Sequence, residues 1–90
     1  MILRPAEAAK ALGFKYTSAV YNLVKKGLLP PPIKVGKQAS GWPEKEIQAF
    51  ADACTAGVDD DTLREIVAGL QRQRAEKLSA LKTQLGLGAV

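Results

Sequence analysis

The sequence predicts a mostly α-helical domain with one small β-hairpin, followed by a long C-terminal helix. Three observations support this prediction. Apolar residues recur at helical spacing in four segments that glycines and prolines separate. The segment IKV at residues 33–35 instead alternates apolar and polar residues, as a half-buried strand does. With 90 residues, of which 47% are hydrophobic and 24% charged, the chain is long enough for one small core.

The first two predicted helices are short, and only a tight turn separates them. The first spans residues 5–12, PAEAAKAL, which begins with a proline suited to an opening helical turn. Gly13 is well placed to end it. The second spans residues 18–26, SAVYNLVKK, and we expect either Thr17 or Ser18 to cap its N-terminus.

A proline-rich segment connects the second helix to the hairpin. Residues 25–37, KKGLLPPPIKVGK, contain three of the five prolines in the chain. Each proline fixes its own φ and restricts the residue before it, so we expect an extended and stiff connection. The hairpin pairs residues 33–35 with residues 40–42, and Val35 and Trp42 are expected among its contacts with the helices.

The third and fourth helices follow the hairpin. The third spans residues 43–54, with Pro43 at its first position and Cys54 on its apolar stripe, where a thiol behaves as a small buried hydrophobe. The fourth spans roughly residues 61–84, and the aspartates at 59–61 are its candidate N-caps. Polar residues interrupt its leucines. This helix either pairs with a second copy or folds back on its own domain, and the small size of the domain favours pairing.

The positive charge is concentrated in the front half of the chain. Residues 1–41 contain seven basic residues and one acidic residue, a net charge of +6, whereas residues 42–90 contain six basic and eight acidic residues, a net charge of −2. A positive segment of this kind suggests a polyanionic partner, most often nucleic acid. A solvated basic surface is the alternative interpretation.

Several functional classes have little support in the sequence. The chain has no histidine and one cysteine, and its scattered carboxylates form no metal-ligand pattern. Its glycines form no phosphate-binding loop. We therefore expect no enzymatic activity, no metal and no cofactor. The single cysteine fits a reducing cytoplasm, and no apolar run reaches the length of a membrane span, so a cytoplasmic protein without a membrane partner is expected.

The order helix, turn, helix, hairpin, helix is that of a winged helix-turn-helix. In such motifs the second helix enters the major groove of DNA, and its N-terminal residues lie nearest the base edges. The tip of the hairpin can contact the backbone or the minor groove. The candidate DNA-binding residues therefore come from the second helix, the turn before it and the wing: Lys15, Tyr16, Thr17, Ser18, Ala19, Tyr21, Asn22, Lys25, Lys26, Lys34, Lys37 and Gln38.

These candidates divide by chemistry. Hydroxyl and amide groups can read base edges, whereas lysines are better suited to phosphates, which position a protein without reading sequence. Asn22 either contacts an adenine or is a solvated helix residue. Lys25 and Lys26 either contact phosphates or only complement the helix dipole. Tyr21 either packs against the wing or touches a phosphate.

Residues 2–52 carry a resemblance to a known family. The segment LRPAEAAKALGF…SAVYNLVKKGLLPPPIKVGKQASGWPEKEIQAF resembles the AlpA family of small phage and prophage transcriptional regulators, which are similar to MerR-type winged helices and to excisionases. Its most specific parts are VYNLVKKG, then LPPPIKVG, then GWPEKEIQAF. The resemblance implies sequence-specific binding of double-stranded DNA through the second helix and the wing. Gln38 departs from the family, which often carries a basic residue at the wing tip.

Two functions fit these observations. The first is a phage or prophage regulator that binds an operator as a homodimer joined through the C-terminal helix. The alternative is an excisionase or a DNA-packaging component similar to a small terminase subunit, whose C-terminal helix recruits a recombinase or a packaging partner. Both assign residues 1–55 to a winged helix-turn-helix domain and residues 59–85 to a helix for dimerisation or partner binding.

Overall fold

A computed structural model describes residues 1–87, and this part of the chain contains four helices and three short strands. The predicted order of helix, turn, helix, hairpin, helix and long helix is confirmed. In chain order the elements are β1 (Ile2–Leu3), α1 (Pro5–Ala11), α2 (Thr17–Lys25), β2 (Ile33–Lys34), β3 (Ser40–Pro43), α3 (Glu44–Ala56) and α4 (Asp60–Leu85).

The sheet has three antiparallel strands in the order β1-β3-β2, one strand more than the predicted hairpin. Leu3 of β1 lies opposite Trp42, and Ile33 of β2 lies opposite Gly41. The prediction missed β1 because two residues are too few to show an alternating pattern. The extra strand ties the N-terminal end of the chain to the base of the hairpin.

Gly41 of β3 lies close against the backbone of β1. A Cβ atom added to Gly41 would overlap the backbone carbonyl oxygen of Leu3 and would stand 2.9 Å from Cγ2 of Ile2. Because the carbonyl belongs to the backbone, it cannot turn aside as the end of a side chain would. The pairing of β1 with β3 therefore requires glycine at this position.

Replacing Gly41 by alanine should destabilise the protein by about 1–3 kcal/mol, the usual range for forcing extra atoms into a packed site. The added methyl group would push β1 away from β3. Urea unfolding measures the loss of stability. Hydrogen exchange of the Glu44 N–H, which donates to the Met1 carbonyl at 2.9 Å, reports whether the contact between β1 and the hairpin is lost.

Gly69→Ala is the matched control. Gly69 lies inside α4, and a Cβ atom added there would meet only Nη2 of Arg72, at an ordinary contact distance of 3.6 Å. Alanine favours a helix over glycine by about 1 kcal/mol, so this variant should be more stable than the parent. If Gly41→Ala were as stable as the parent, the steric role of Gly41 would be contradicted.

The core is organised around Trp42. The largest fully buried side chains are Trp42, Leu29, Val20 and Pro30. The indole Nε1 of Trp42 donates a buried hydrogen bond of 2.7 Å to the carbonyl of Pro30, so the polar edge of the ring is satisfied inside the core. The prediction that Trp42 is a core residue is confirmed.

The proline-rich segment is fixed to the core where it begins. Gly27 adopts a φ of +77° and ends α2. Leu28 and Leu29 then turn inwards and are 7% and 1% exposed. The hydrogen bond from Trp42 holds the next residue, Pro30, so the direction of the chain leaving α2 is set by the same tryptophan that anchors the sheet.

Two predicted helix starts are wrong. Tyr16, in extended conformation, is the N-cap of α2, and no side chain caps this end. Thr17 is already helical, so neither it nor Ser18 takes the capping position, which requires a non-helical backbone. Pro43 is not the first residue of α3 but its N-cap, because a ψ of 134° keeps it extended at the end of β3.

Two predictions of burial are also wrong. Val35 is 52% exposed, because β2 ends at the residue before it and its N–H closes the wing turn by donating to the Ala39 carbonyl at 2.9 Å. Cys54 is exposed. The buried face of α3 runs through Phe50 and Ala53, and Cys54 lies one residue, about 100° of helix rotation, beyond it.

The N-terminus of α4 agrees with the prediction. Asp59 is the N-cap, and its carboxylate accepts a hydrogen bond of 2.8 Å from the N–H of Thr62. Hydrogen bonding by the Thr62 side chain, and then by its backbone, lowers the pKa of Asp59. Leu63 and Val67 are buried, so the first half of α4 folds back on the domain, while every residue after Arg74 is exposed up to residue 87. Within residues 1–87 no helix has both the length and the apolar character to cross a membrane.

Candidate nucleic-acid interface

Small residues bring α1 and α2 together. Ala8 and Ala9 of α1 are 0% and 3% exposed, and Val20 of α2 is fully buried in the same cluster. Gly13, at a φ of +79°, reverses the chain after α1. The N–H of Phe14 then donates a hydrogen bond of 2.8 Å to the Ala9 carbonyl. This close packing fixes α2 by one face and leaves its opposite face to solvent.

The structure places the predicted DNA-binding residues at the surface. Ala19 is half-buried, and all the others are exposed: Lys15, Tyr16, Thr17, Ser18, Tyr21, Asn22, Lys25, Lys26, Lys34, Lys37 and Gln38. The first turn of α2 contains no acidic residue and has no side-chain cap. Its N-terminal N–H groups, at the positive end of the helix dipole, therefore have no negatively charged partner in that turn.

Lys15 and Tyr16 form one exposed feature in the turn before α2. The Tyr16 side chain is 66% exposed, and Nζ of Lys15 lies 5.6 Å from the centroid of its ring, within the range of a cation–π contact. The contact holds the lysine close to the N-terminus of α2. The positive charge is thus near the residues predicted to read bases.

Tyr21 packs against Trp42 and is also partly open to solvent. The two ring centroids are 5.7 Å apart, with the planes tilted by 58°, and Tyr21 is 41% exposed. Of the two interpretations offered by the sequence, packing is therefore the observed one. Because Trp42 belongs to β3, this contact joins α2 directly to the sheet that carries the wing.

Lys25 and Lys26 lie at the end of α2, where the base of α4 approaches. The carbonyl of Lys26 accepts a hydrogen bond of 3.4 Å from Nε of Arg64, whose Nη1 lies 3.2 Å from Oδ1 of Asp61. Over residues 1–87 the ion pairs involve Arg64 and Arg74, and neither lysine takes part in one. Their ammonium groups are therefore available to a negatively charged partner.

A short turn forms the tip of the wing. The hydrogen bond of 2.9 Å between the Val35 N–H and the Ala39 carbonyl closes it, and Gly36 adopts a φ of +149°. Lys37 and Gln38 lie at the tip and are exposed, as is Lys34 of β2. The wing therefore presents two lysines and one amide to solvent.

Sequence reasoning missed an ion pair that holds α4 to α3. Glu46 is only 5% exposed, and its carboxylate accepts hydrogen bonds from Nε of Arg74 at 2.8 Å and from Nη2 at 2.5 Å. Such a bidentate pair is specific as well as strong. The sequence signal was Arg74 itself, one of the polar residues that interrupt the apolar stripe of α4. Within the described residues, no three His, Cys, Asp or Glu side chains come together as a metal site.

The comparisons with known proteins agree with this geometry. A family model described as the prophage CP4-57 regulatory protein (AlpA) matches residues 1–55. Comparison with the curated proteins gives no match. Among solved structures the chain is similar to HiNmlR, described as a MerR family regulator lacking the sensor domain, bound to promoter DNA. The TM-score is 0.53 at 16% sequence identity, over 96% of this chain and 80% of that chain. At this identity the likeness concerns the fold, and it extends over α4 as well as the family-matched region.

Proposed function

We propose that this chain, which belongs to the AlpA family of prophage regulatory proteins, binds double-stranded DNA as a sequence-specific transcriptional regulator. One observation carries the proposal: the exposed polar face of α2 and the lysines of the wing belong to a single half of the chain with a net charge of +6. HiNmlR, whose fold is similar, is itself bound to promoter DNA, which supports the same partner here.

In this proposal α2 enters the major groove and reads base edges through its exposed hydroxyl and amide groups. The N-terminal end of α2 carries Thr17 and Ser18, and the exposed face of the helix carries Asn22. An amide can bond both N6 and N7 of adenine, and hydroxyls can bond several base edges. Ala19 is small and half-buried, which lets the backbone of the first turn approach the bases closely.

Phosphate contacts position α2 and the wing on the duplex. Lys25 and Lys26 lie at the C-terminal end of α2. Lys15 and the uncapped N–H groups lie at its N-terminal end. Lys34 and Lys37 belong to the wing. The exposed Gln38 adds a neutral hydrogen-bonding group where family members often carry a positive charge.

Contacts of Trp42 fix the orientation of α2 relative to the wing. Its ring packs on Tyr21 of α2, its N–H holds Pro30, and its backbone belongs to β3 next to the wing. A change in the angle between α2 and the wing would break these contacts. We therefore propose that groove reading and backbone clamping act as one unit, with little conformational entropy lost on binding.

We also propose that the two parts of the chain have separate roles. Residues 1–55 form the DNA-binding domain, and residues 59–85 form the element for dimerisation or partner binding. A homodimer joined through α4 would match a palindromic or repeated operator. The proposed setting is a phage or prophage regulator in the cytoplasm, with no cofactor.

A second function is supported by the exposed leucines of α4. Leu78, Leu81 and Leu85 are 54%, 49% and 59% exposed, which would suit a helix that recruits a larger protein. An excision or DNA-packaging component would bind DNA weakly alone and would bind a recombinase or a packaging ATPase tightly through this helix. The regulator, in contrast, should bind its operator without another protein.

A binding-site selection on random DNA with the full chain should enrich one defined sequence. On that sequence, Lys25→Ala with Lys26→Ala should weaken binding and lower the slope of log affinity against log salt by up to about 1.8, because each phosphate contact contributes about 0.9 on B-DNA. Fluorescence anisotropy titrations at several salt concentrations measure both quantities.

Lys77→Ala with Lys82→Ala is the control, since it removes two exposed lysines of α4 and the same charge. This control should leave the slope unchanged. A selection that enriches nothing would overturn the regulator proposal. An unchanged slope in the Lys25/Lys26 variant would remove these residues from the interface.

A further inference from the structure

A groove lies between the sheet, α3 and α4, on residues outside the proposed DNA-contacting set. Its volume is about 700 Å³, within the range of pockets that hold small organic molecules. Its apolar lining comes from the three strands and the residue before β1: Met1, Ile2, Ile33 and Pro43. Met1 is 88% exposed and the other three are half-buried, so this apolar surface is open to solvent. A ligand with an apolar body would cover it.

The polar lining of the groove is cationic and only partly neutralised. The helix α3 contributes Glu44 and Lys45, and α4 contributes Arg74 and Lys77. Arg74 is already paired with the carboxylate of Glu46. Within residues 1–87 neither lysine forms an ion pair, and both are exposed. With Arg74 neutralised, two ammonium groups remain for one carboxylate, and the groove keeps a net charge of +1.

The positive and apolar residues lie on different sides of the groove. Lys45, Arg74 and Lys77 also line a second hollow, of about 290 Å³, so they stand at the junction of the two cavities. Ile2 and Ile33 line only the larger groove. The groove is therefore apolar on the side of the sheet and positive on the side of the second hollow.

We propose that this groove binds a small organic anion that has an apolar body and a single carboxylate, such as a medium-chain carboxylic acid. The body would cover Ile2 and Ile33, and the carboxylate would lie between Lys45 and Lys77. Arg74 stays with Glu46, which occupies its guanidinium from two sides. A single negative charge matches the net charge of the groove. Burial of the body supplies the affinity, and the lysines select the charge of the head.

The groove also adjoins the wing. Ile33 belongs to β2, the two-residue strand that leads into the wing turn. A bound ligand would bury Ile33 further and so stabilise the pairing of β2 with β3. Because the wing is proposed to contact DNA, the ligand should tighten DNA binding, and DNA should tighten ligand binding by the same factor. This coupling rests on the proposed function, whereas the binding site itself does not.

Titration of the full chain with octanoate, in the absence of DNA, tests the site. Octanol keeps the apolar body without the charge, and octylammonium reverses the charge. In NMR spectra, octanoate should bind saturably and move the backbone amide signals of Ile2, Ile33 and Lys45. Octanol should bind at least about threefold more weakly, because exposed charge pairs add a modest attraction, and octylammonium more weakly still. Equal binding of all three, or groove signals that octanoate does not move, would overturn the proposal.

Removal of the two lysines tests their role. Lys45→Ala with Lys77→Ala should weaken octanoate binding by about threefold or more and leave octanol binding unchanged. Lys10→Ala with Lys82→Ala is the control, since it removes two exposed lysines that do not line the groove. The control should bind octanoate as the parent does. Equal weakening in both variants would show attraction to the basic chain as a whole and would overturn the site.

Two further measurements separate the ligand from other occupants and from DNA. Groove signals that move with protein concentration alone would assign the groove to a second copy and overturn the proposal. On the DNA sequence enriched by selection, saturating octanoate should raise the affinity at least about twofold. An unchanged affinity would overturn the coupling to the wing. Because the titration contains no DNA, a failure of the site is distinct from a failure of DNA binding.

Discussion

Replacing Trp42 by alanine should lower the free energy of unfolding by about 3–5 kcal/mol, the usual cost of deleting a buried aromatic side chain. A chain of this size has a stability of about 5–13 kcal/mol, so the variant should lose a large share of it. The side chain is 0% exposed, and its removal deletes the contact with Tyr21 and the hydrogen bond to Pro30. Urea unfolding followed by circular dichroism measures the change.

Trp42→Phe separates the hydrogen bond from the volume of the ring. The variant keeps an aromatic ring in the core but leaves the buried carbonyl of Pro30 without its donor, which should cost about 1–3 kcal/mol. Tyr16→Ala is the matched change at an aromatic residue that is 66% exposed, and it should alter stability by less than about 0.5 kcal/mol. Equal stability of these two variants would show that the indole hydrogen bond contributes nothing.

Replacing Arg74 by methionine should cost about 3–5 kcal/mol at neutral pH, because it leaves the carboxylate of Glu46 buried without a counter-charge. The side chain of Glu46 is 7% exposed, whereas that of Arg74 is 24% exposed. The opposite single change, Glu46→Leu, should therefore cost less, since the guanidinium can turn to solvent. Thermal and urea unfolding of both variants measure this asymmetry.

The double variant Glu46→Leu with Arg74→Met is the control for that prediction. It removes both charges and keeps similar side-chain volume, and replacing a buried ion pair by apolar residues is often neutral. The double variant should therefore be more stable than Arg74→Met alone. A double variant as unstable as the sum of the single ones would mean that the two side chains act independently.

Much of the fold could be predicted because its determinants are local. Glycines end helices where the chain must turn back, as at Gly13 and Gly27, and both adopt the positive φ that this requires. The aspartate cap of α4 and the long apolar stripe that follows it are likewise read from neighbouring residues. Trp42 could be predicted to lie in the core because the hairpin of so small a domain must pack its tryptophan against the helices.

The features that were missed depend on residues far apart in the chain. The pairing of β1 with β3 joins Leu3 to Trp42, and two residues carry no periodic signal. The ion pair joins Glu46 to Arg74, 28 residues apart, and each looks like an ordinary helix charge by itself. The exposure of Val35 depends on where the strand pairing stops, which alternation does not reveal. For the candidate site, the sequence could predict which polar residues are exposed, because they lie opposite an apolar face. It could not predict which of them contact DNA in the proposed function, because such contacts depend on the sequence and the shape of the DNA.

The hydrogen bond from Nε of Arg64 to the Lys26 carbonyl joins α4 to the C-terminal end of α2. The last carbonyls of a helix have no partner within the helix, and here a cationic side chain supplies one of them with a donor. The same guanidinium pairs with Asp61 in the first turn of α4. A displacement of α4 would therefore remove a donor from the end of the helix that is proposed to contact DNA, although α4 itself lies outside the family-matched residues.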